Sequence, residues 1–370
     1  MKVVVERATL LKALGHVQSV VERRNTIPIL SNVLLMAEPG GLKLMATDLD
    51  LQVVETVEAS VETPGATTVS AHTLFDIVRK LPEGSQVALA QTERRVTVTA
   101  GRARFQLQTL PREDFPVIGE SDFPTRFELA ATELRDLIDK TRFAISTEET
   151  RYYLNGIFLH APAGQTPRTL RAVATDGHRL ARFELPLPEG AEDMPDVIVP
   201  RKCVAEVRKL LDERDGPVEI ALSSAKIRFR IGAALLTSKL IEGSFPDYNR
   251  VIPTANDRLL RIDPQTLAEG VDRVTAIASD KTRAVKLSLD SDRVTLSVTS
   301  PENGTAAEDL PAIYAAPAFD VGFNSRYLLD ILQQVAGDQV EVHLADAAAP
   351  TLIREGDGAS ALYVLMPMRV

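Results

Sequence analysis

Ala71-His-Thr-Leu-Phe-Asp-Ile-Val-Arg-Lys-Leu81, Arg201-Lys-Cys-Val-Ala-Glu-Val-Arg-Lys-Leu-Leu211 and Ser325-Arg-Tyr-Leu-Leu-Asp-Ile-Leu-Gln-Gln-Val335 decide the fold. Each sets apolar residues three and four apart, the period of one buried helix face. Each is followed by a polar turn and a strand-like run: Val87-Ala-Leu-Ala90, Val218-Glu-Ile-Ala-Leu222 and Val340-Glu-Val-His-Leu344. The spacing between the three is nearly equal, so one structural unit is repeated along the chain.

Working outward, each unit opens with another amphipathic helix: Thr9–Val21, Thr132–Ile145 and Pro264–Ile277. Leu10, Leu14, Val17 and Val21 recur at helical spacing, as do Leu134, Leu137, Ile138 and Ile145. Ser70 and Thr132 read as N-caps, and Pro264 suits a first helical turn. The strands between the helices repeat too. Leu42-Lys-Leu-Met-Ala-Thr-Asp48 matches Leu170-Arg-Ala-Val-Ala-Thr-Asp176, and Val294-Thr-Leu-Ser-Val-Thr-Ser300 is a weaker third copy. Arg95-Val-Thr-Val-Thr99 and Val285-Lys-Leu-Ser-Leu289 alternate with period two, as half-buried antiparallel strands do. Turn-like joints near Asp122-Phe-Pro-Thr125 and Pro253-Thr-Ala-Asn256 set three domains at residues 1–122, 126–254 and 256–370. The expected fold class is α+β, with antiparallel sheets and two helices per domain.

Hydrophobic residues make up 45% of the 370, enough for several cores. No apolar run approaches the ~18 residues of a membrane span. The start, Met-Lys-Val-Val-Val-Glu-Arg7, turns charged too soon for a signal peptide, so a cytoplasmic protein is expected. The single cysteine, Cys203, excludes an intramolecular disulfide and reads as a plain helix residue despite its basic neighbours.

A net charge of −9 argues at first against nucleic acid. The distribution matters more than the sum. The helical segments 8–24, 71–81 and 200–214 are net basic and the other three balance, so the acidity lies elsewhere. Helices lining one face would attract phosphate while the rest stayed acidic. Repeated domains meet through similar surfaces, and three per chain close into a ring if two chains pair head to tail; an open linear array is the alternative.

Catalytic signals are weak. Asp176-Gly-His178 with Arg179 reads as a turn between strands. Asp290-Ser-Asp292 reads as a hairpin tip, and Gly356-Asp-Gly-Ala-Ser-Ala361 lies between strands instead of before a helix. The competing functional readings are a metal-dependent nuclease using Asp48, Asp50, Asp176 and His178, and a repeat scaffold that binds proteins only.

The chain resembles, over its full length, the beta subunit of bacterial DNA polymerase III, the sliding-clamp family. The resemblance rests on Thr26-Ile-Pro-Ile-Leu-Ser-Asn32, Pro64-Gly-Ala-Thr-Thr-Val69, Arg151-Tyr-Tyr-Leu-Asn-Gly156, Ala174-Thr-Asp-Gly-His-Arg-Leu-Ala181, Val199-Pro-Arg-Lys202, Phe245-Pro-Asp-Tyr248 and Met366-Pro-Met-Arg-Val370, in this order. It implies three tandem DNA-clamp domains and a head-to-tail homodimer forming a pseudo-six-fold ring. It also implies a non-catalytic processivity factor without cofactor or metal. The partners would be duplex DNA, the catalytic subunit of DNA polymerase III, the clamp loader, and other polymerases and repair proteins carrying clamp-binding peptides.

By the same resemblance, a partner-peptide pocket would use Leu154, Thr175, Gly177, His178, Arg179, Leu180, Pro246, Arg250, Val251, Asn324, Tyr327, Val364, Met366, Pro367, Met368 and Arg369. Methionines adapt to varied apolar partners, Leu and Val give an apolar floor, and Arg and His supply donors at the edge. DNA contact would fall to Arg24, Arg151, Tyr152, Tyr153, Arg201, Lys202 and Arg283 through sequence-independent phosphate binding. The sequence departs from the family pattern at His72, where a basic residue is expected, and at the acidic loop Thr147-Glu-Glu-Thr150. The dimer interface would set Arg95, Arg102 and Arg104 against Glu302, Glu308 and Asp309, around Ala276 and Ile277. Asn303-Gly-Thr-Ala-Ala307 thins the acidic stretch, so sheet pairing and apolar packing would outweigh ion pairs.

Overall fold

A computed structural model describes residues 1–370 except 120–121, 165, 213–214, 279–282 and 357. Parts of the charged segments 200–214 and 264–283, and Asp357 of the glycine-rich segment, therefore lie outside the described residues. Among the described residues there are six α-helices: α1 (Arg7–Gln18), α2 (Ala71–Lys80), α3 (Ala131–Arg142), α4 (Arg201–Leu211), α5 (Pro264–Thr275) and α6 (Ser325–Leu332). They stand where the apolar periodicity places them, two to each repeat.

The caps explain the starts. Glu6 accepts a hydrogen bond from the Thr9 amide at 2.8 Å to open α1. Ser70 caps α2 and Asp263 caps α5, with Pro264 in the first turn. Thr132 is not an N-cap, contrary to the sequence expectation. It is the second residue of α3, and Glu133 accepts from the Ala130 amide at 2.9 Å to organise that start.

The chain divides into two compact units, and the division runs through the middle repeat. Unit 1 holds Met1–Arg135, Pro188–Pro195 and Lys202–Leu240. Its five-stranded sheet runs Ser60–Thr63, Lys2–Glu6, Gln86–Thr92, Arg95–Ala100, Ala103–Gln108. Its eight-stranded sheet runs Thr125–Ala130, Pro217–Leu222, Lys226–Ile231, Ala234–Lys239, Leu51–Val57, Gly41–Thr47, Asn32–Glu38, Gly65–Ser70. Leu236 opposite Val53 joins strands of the first and middle repeats into one sheet. Leu10, Ala13, Leu14 and Val17 of α1 are buried, the apolar face that the sequence pattern assigned to that helix.

Unit 2 holds Asp136–Leu187, Asp196–Arg201 and Ile241–Val370. Its nine-stranded sheet runs Val197–Pro200, Gly156–His160, Thr169–Thr175, Arg179–Pro186, Ala361–Leu365, Thr351–Arg354, Val340–Leu344, Arg258–Ile262, Ile313–Tyr314. Arg179–Pro186 pairs with Ala361–Leu365, so the middle and third repeats share a sheet as the first and middle do in unit 1. A four-stranded sheet runs Gly304–Pro311, Arg293–Ser300, Ala284–Asp290, Phe319–Asn324. The pairings are antiparallel throughout, and no helix of the described residues is long and apolar enough to cross a membrane.

Cys203 is buried, and burial pushes its thiol up to about 12, so the plain reading of that residue stands.

Candidate functional site

The turn between Thr169–Thr175 and Arg179–Pro186 starts the site. Gly177 has φ +89°, a conformation that favours glycine, and the Asp176 carboxylate accepts from the His178 and Arg179 amides at 3.0 and 3.1 Å. This fixes the turn against the last strand, where Val364 opposes Leu180. A second wall comes from Phe245–Val251, and Asp247 caps the short helical turn Tyr248–Val251. Between them lies a cavity of about 200 Å³.

Leu154, Thr175, Gly177, His178, Arg179, Leu180, Pro246, Val251, Val364 and Met366 line it together with Phe245, Asp247 and Tyr248. Arg250, Asn324, Tyr327, Pro367, Met368 and Arg369 are not lining residues, though several border those that are. Asn324 caps α6, and the Tyr327 ring lies 4.4 Å from the Arg179 guanidinium and 6.0 Å from the His178 ring. Val251 and Met366 are 46% and 38% exposed, so part of this apolar lining faces solvent with nothing from the described chain to cover it.

Arg179 differs from the edge donor expected of it. Its guanidinium donates to Asp176 at 3.2 Å, to Asp330 of α6 at 2.5 Å and to the Phe143 carbonyl at 2.6 Å. These bonds occupy its donors within the chain, so Arg179 holds the groove together.

Phe245, Asp247 and Tyr248 were missed as lining residues, although their segment was conspicuous. What fixes Tyr248 has no local signal. Period two puts Phe158 and His160 on one face of their strand, where Phe158 stacks on Phe245 at 4.8 Å and on His160 at 4.4 Å. Arg171 donates to the Tyr248 hydroxyl at 3.2 Å, which leaves the phenol proton for Nε2 of His160 at 3.0 Å. That donation needs a neutral imidazole, and burial, with the Arg171 charge beside it, holds His160 down at about 4. Arg171 and Arg182 both pair with Glu184, at 3.1 and 2.8 Å.

The sign of the resulting pH effect follows. Between its folded value near 4 and an ordinary value of about 6.5, His160 takes a proton when unfolded but not when folded. Its contribution to stability is complete above that window and falls as pH drops through it, by about 1.4 kcal/mol per pH unit at most. His160→Gln is expected to flatten the slope of urea-unfolding free energy between pH 6.5 and 4.5 relative to the parent. Equal slopes would show that His160 does not titrate in this way.

The basic candidates are divided between the units. In unit 1, Arg24 is exposed. Lys202 is engaged within unit 1, bonded to Asp48 and to the Val20 carbonyl, with Glu22 at 3.6 Å. His72 is engaged as well, with Nε2 donating to the Val21 carbonyl at 2.9 Å. In unit 2, Arg201, Arg283 and Tyr152 are exposed and Tyr153 is half-buried edge-on to Tyr152. Arg151 pairs with Glu148 of the acidic loop at 3.2 Å, so that loop neutralises a neighbouring cation.

At the other predicted surface, Arg95 and Arg104 lie on the last two strands of the five-stranded sheet, with Arg102 in the turn between them. Glu308 and Asp309 lie on the edge strand Gly304–Pro311, with Glu302 just before it. Glu308 already takes three hydrogen bonds from Arg273, the shortest 2.7 Å, which hold its carboxyl below the usual range. Asp309 accepts from Thr295 at 2.6 Å. Ala276 is exposed and Ile277 half-buried, its carbonyl bonded to Asn303 at 3.0 Å.

The nuclease reading fails on geometry. Asp48 is bonded to Lys202 and Asp176 to Arg179, and both carboxylates also close tight turns. Among the described residues, no group of three His, Cys, Asp or Glu side chains is placed to hold a metal.

Comparison with known proteins agrees along the whole chain. The N-terminal, central and C-terminal domain models of the DNA polymerase III beta subunit match residues 1–119, 128–247 and 249–369. The beta sliding clamp of Caulobacter vibrioides is 52% identical and that of Escherichia coli 38%, each with 100% of both chains covered. The crystal structure of a DnaN sliding clamp from Bartonella birtlesii bound to griselimycin superposes with a TM-score of 0.98 at 51% identity, covering 100% of both chains. Three tandem domains of one α+β design, each matched by a domain of the DNA polymerase III beta subunit, define a clamp-type tether of DNA replication. The chain belongs to the family of the bacterial DNA polymerase III beta subunit. It functions as a sliding clamp, a processivity factor without chemistry of its own, and its partners are DNA and the polymerase.

Proposed function

We propose that two copies close head to tail into a ring that encircles duplex DNA, and that the unit 2 groove recruits the polymerase, the clamp loader and repair proteins through short peptides. The domains would be 1–122, 126–254 and 256–370, giving six quasi-equivalent positions in the ring. Arg24, Arg151, Tyr152, Tyr153, Arg201 and Arg283 would meet the DNA backbone, with Lys202 holding α4 to its neighbours more than contacting phosphate.

The observation that carries the ring is a pair of open sheet edges. Ala103–Gln108 ends the five-stranded sheet and Gly304–Pro311 ends the four-stranded one. Each leaves a run of backbone groups ready to pair with another chain, and Phe105 on the first is 37% exposed. Two other edges have chain against them. The residues around Gly190 lie against Arg126 of the strand Thr125–Ala130, and the Ile241 amide bonds to Ile198 of Val197–Pro200 at 3.0 Å. The first open edge carries arginines and the second carboxylates, so pairing them is also electrostatically complementary.

Two experiments test this. Mass in solution should be about twice the 40.4 kDa chain. After loading by a clamp loader, the protein should stay on closed circular DNA and be lost when the circle is cut; equal retention on both would sink the reading. Because Glu308 and Asp309 have partners within their own chain, the dimer should respond weakly to salt. Raising ionic strength from about 0.1 to about 1 M shortens the screening length from ~10 to ~3 Å, yet the dimer dissociation constant should shift by less than about tenfold. A larger shift by sedimentation would show ion pairs in command.

A further inference from the structure

The last strand ends at Leu365, but the chain goes on to a second sheet. The Met366 amide donates to the His178 carbonyl at 2.9 Å, on the turn that lines the groove. Two residues later the Met368 amide donates to the Gly322 carbonyl at 2.9 Å. Gly322 lies in Phe319–Asn324, the strand that closes one side of the four-stranded sheet. The tail 366–370 is thus a strap, fastened at one end to the groove turn and at the other to this strand.

The seat for the strap is a missing side chain. Val321 and Phe323 are buried at 1% each, and alternation puts Gly322 on the opposite face. A Cβ at Gly322 would come to 2.6 Å from the Met368 carbonyl oxygen and 2.9 Å from Val370 Cγ2, and closer still to Val370 Cγ1. Those three nearest atoms all belong to the strap. The Gly322 backbone lies outside the left-handed region, so it asks for no glycine, and a strand normally gains from a side chain. Glycine at this position therefore serves the docking of the strap and not the strand itself.

We infer that Gly322, which does not line the groove, is a positioning residue for partner recognition. By seating the strap it holds Met366 in the groove wall. The inference rests on reading the groove as the peptide site, and it makes the Met wall conditional on a backbone seat in the next sheet.

The test uses the full-length protein, its Gly322→Ala variant, and both again without residues 366–370. One readout is hydrogen exchange at the Met368 amide; the others are thermal unfolding and binding of a short fluorescent peptide with Leu and Phe anchors. Gly322→Ala is expected to remove protection at Met368 and weaken the peptide by about tenfold or more, with little change in Tm. In the truncated chain the same substitution should change neither Tm nor residual binding. Retained Met368 protection with parental affinity would overturn the inference, as would an equal loss of Tm with and without the strap. If the parent protein fails to bind the peptide at all, the groove reading falls, while Met368 protection still decides whether Gly322 seats the strap.

Discussion

Removing Met366–Val370 is expected to cripple peptide capture and leave a folded protein. The truncation stops just past Leu365, which still pairs with Arg179 and Thr351, so the nine-stranded sheet keeps its last strand. What goes is peripheral. Met366, Met368 and Val370 are all at least 38% exposed, and the two carbonyls released, His178 and Gly322, can turn to water. Surface losses of this kind stay near about 0.5 kcal/mol each. The groove fares worse, because Met366 is one of its walls. Burying an apolar side chain is worth about 1.5–3 kcal/mol, and a peptide anchor that loses its facing wall forfeits much of that along with the Met contacts. A fall in affinity of about a hundredfold follows. Fluorescence anisotropy with the anchored peptide, beside circular dichroism and solution mass, measures both halves. Unchanged affinity would remove the tail from the site, and a lost cooperative melt would make it part of the core.

Much of this arrangement is legible in the sequence, and the exceptions have physical causes. Helix periodicity is local, so α4 begins and ends where the apolar pattern does. Capping is local as well, but Thr132 and Glu133 compete for the start of α3 and the longer acid reaches back to Ala130. The groove is long-range. Tyr248 owes its position to His160 and Arg171, which are 88 and 77 residues away, and neither carries a pattern that ties it to the other. Lys202 shows the limit of reading charge by type. A lysine in a basic helix suggests phosphate, yet Asp48, distant by 154 residues, supplies the anion instead. The last strand stops at Leu365, so Met366 and Met368 lie beyond it and both side chains stay partly in solvent.

Phe105→Asp is expected to separate the two activities. Phe105 lies mid-strand in Ala103–Gln108, opposite Val98 on the inner side and exposed on the open edge. Placing a carboxylate there removes about 1.5–3 kcal/mol of apolar burial and puts an acid against an edge that already carries Glu308 and Asp309. A head-to-tail dimer contains the contact twice, so every substitution is felt at both joints. The variant should sediment at the chain mass of 40.4 kDa and slip from closed circular DNA as readily as from linear DNA. Its peptide affinity should equal the parent's, because the groove is lined by residues 154, 175, 177–180, 245–248, 251, 364 and 366 of one chain and all of them lie in unit 2, while Phe105 lies in unit 1. Loss of peptide binding together with the dimer would mean that the groove needs the second copy. A dimer that survives would mean that the closing contact lies away from this edge. Only loss of DNA retention with the groove intact fits a tether that holds DNA by closure and its partners by a site complete within each subunit.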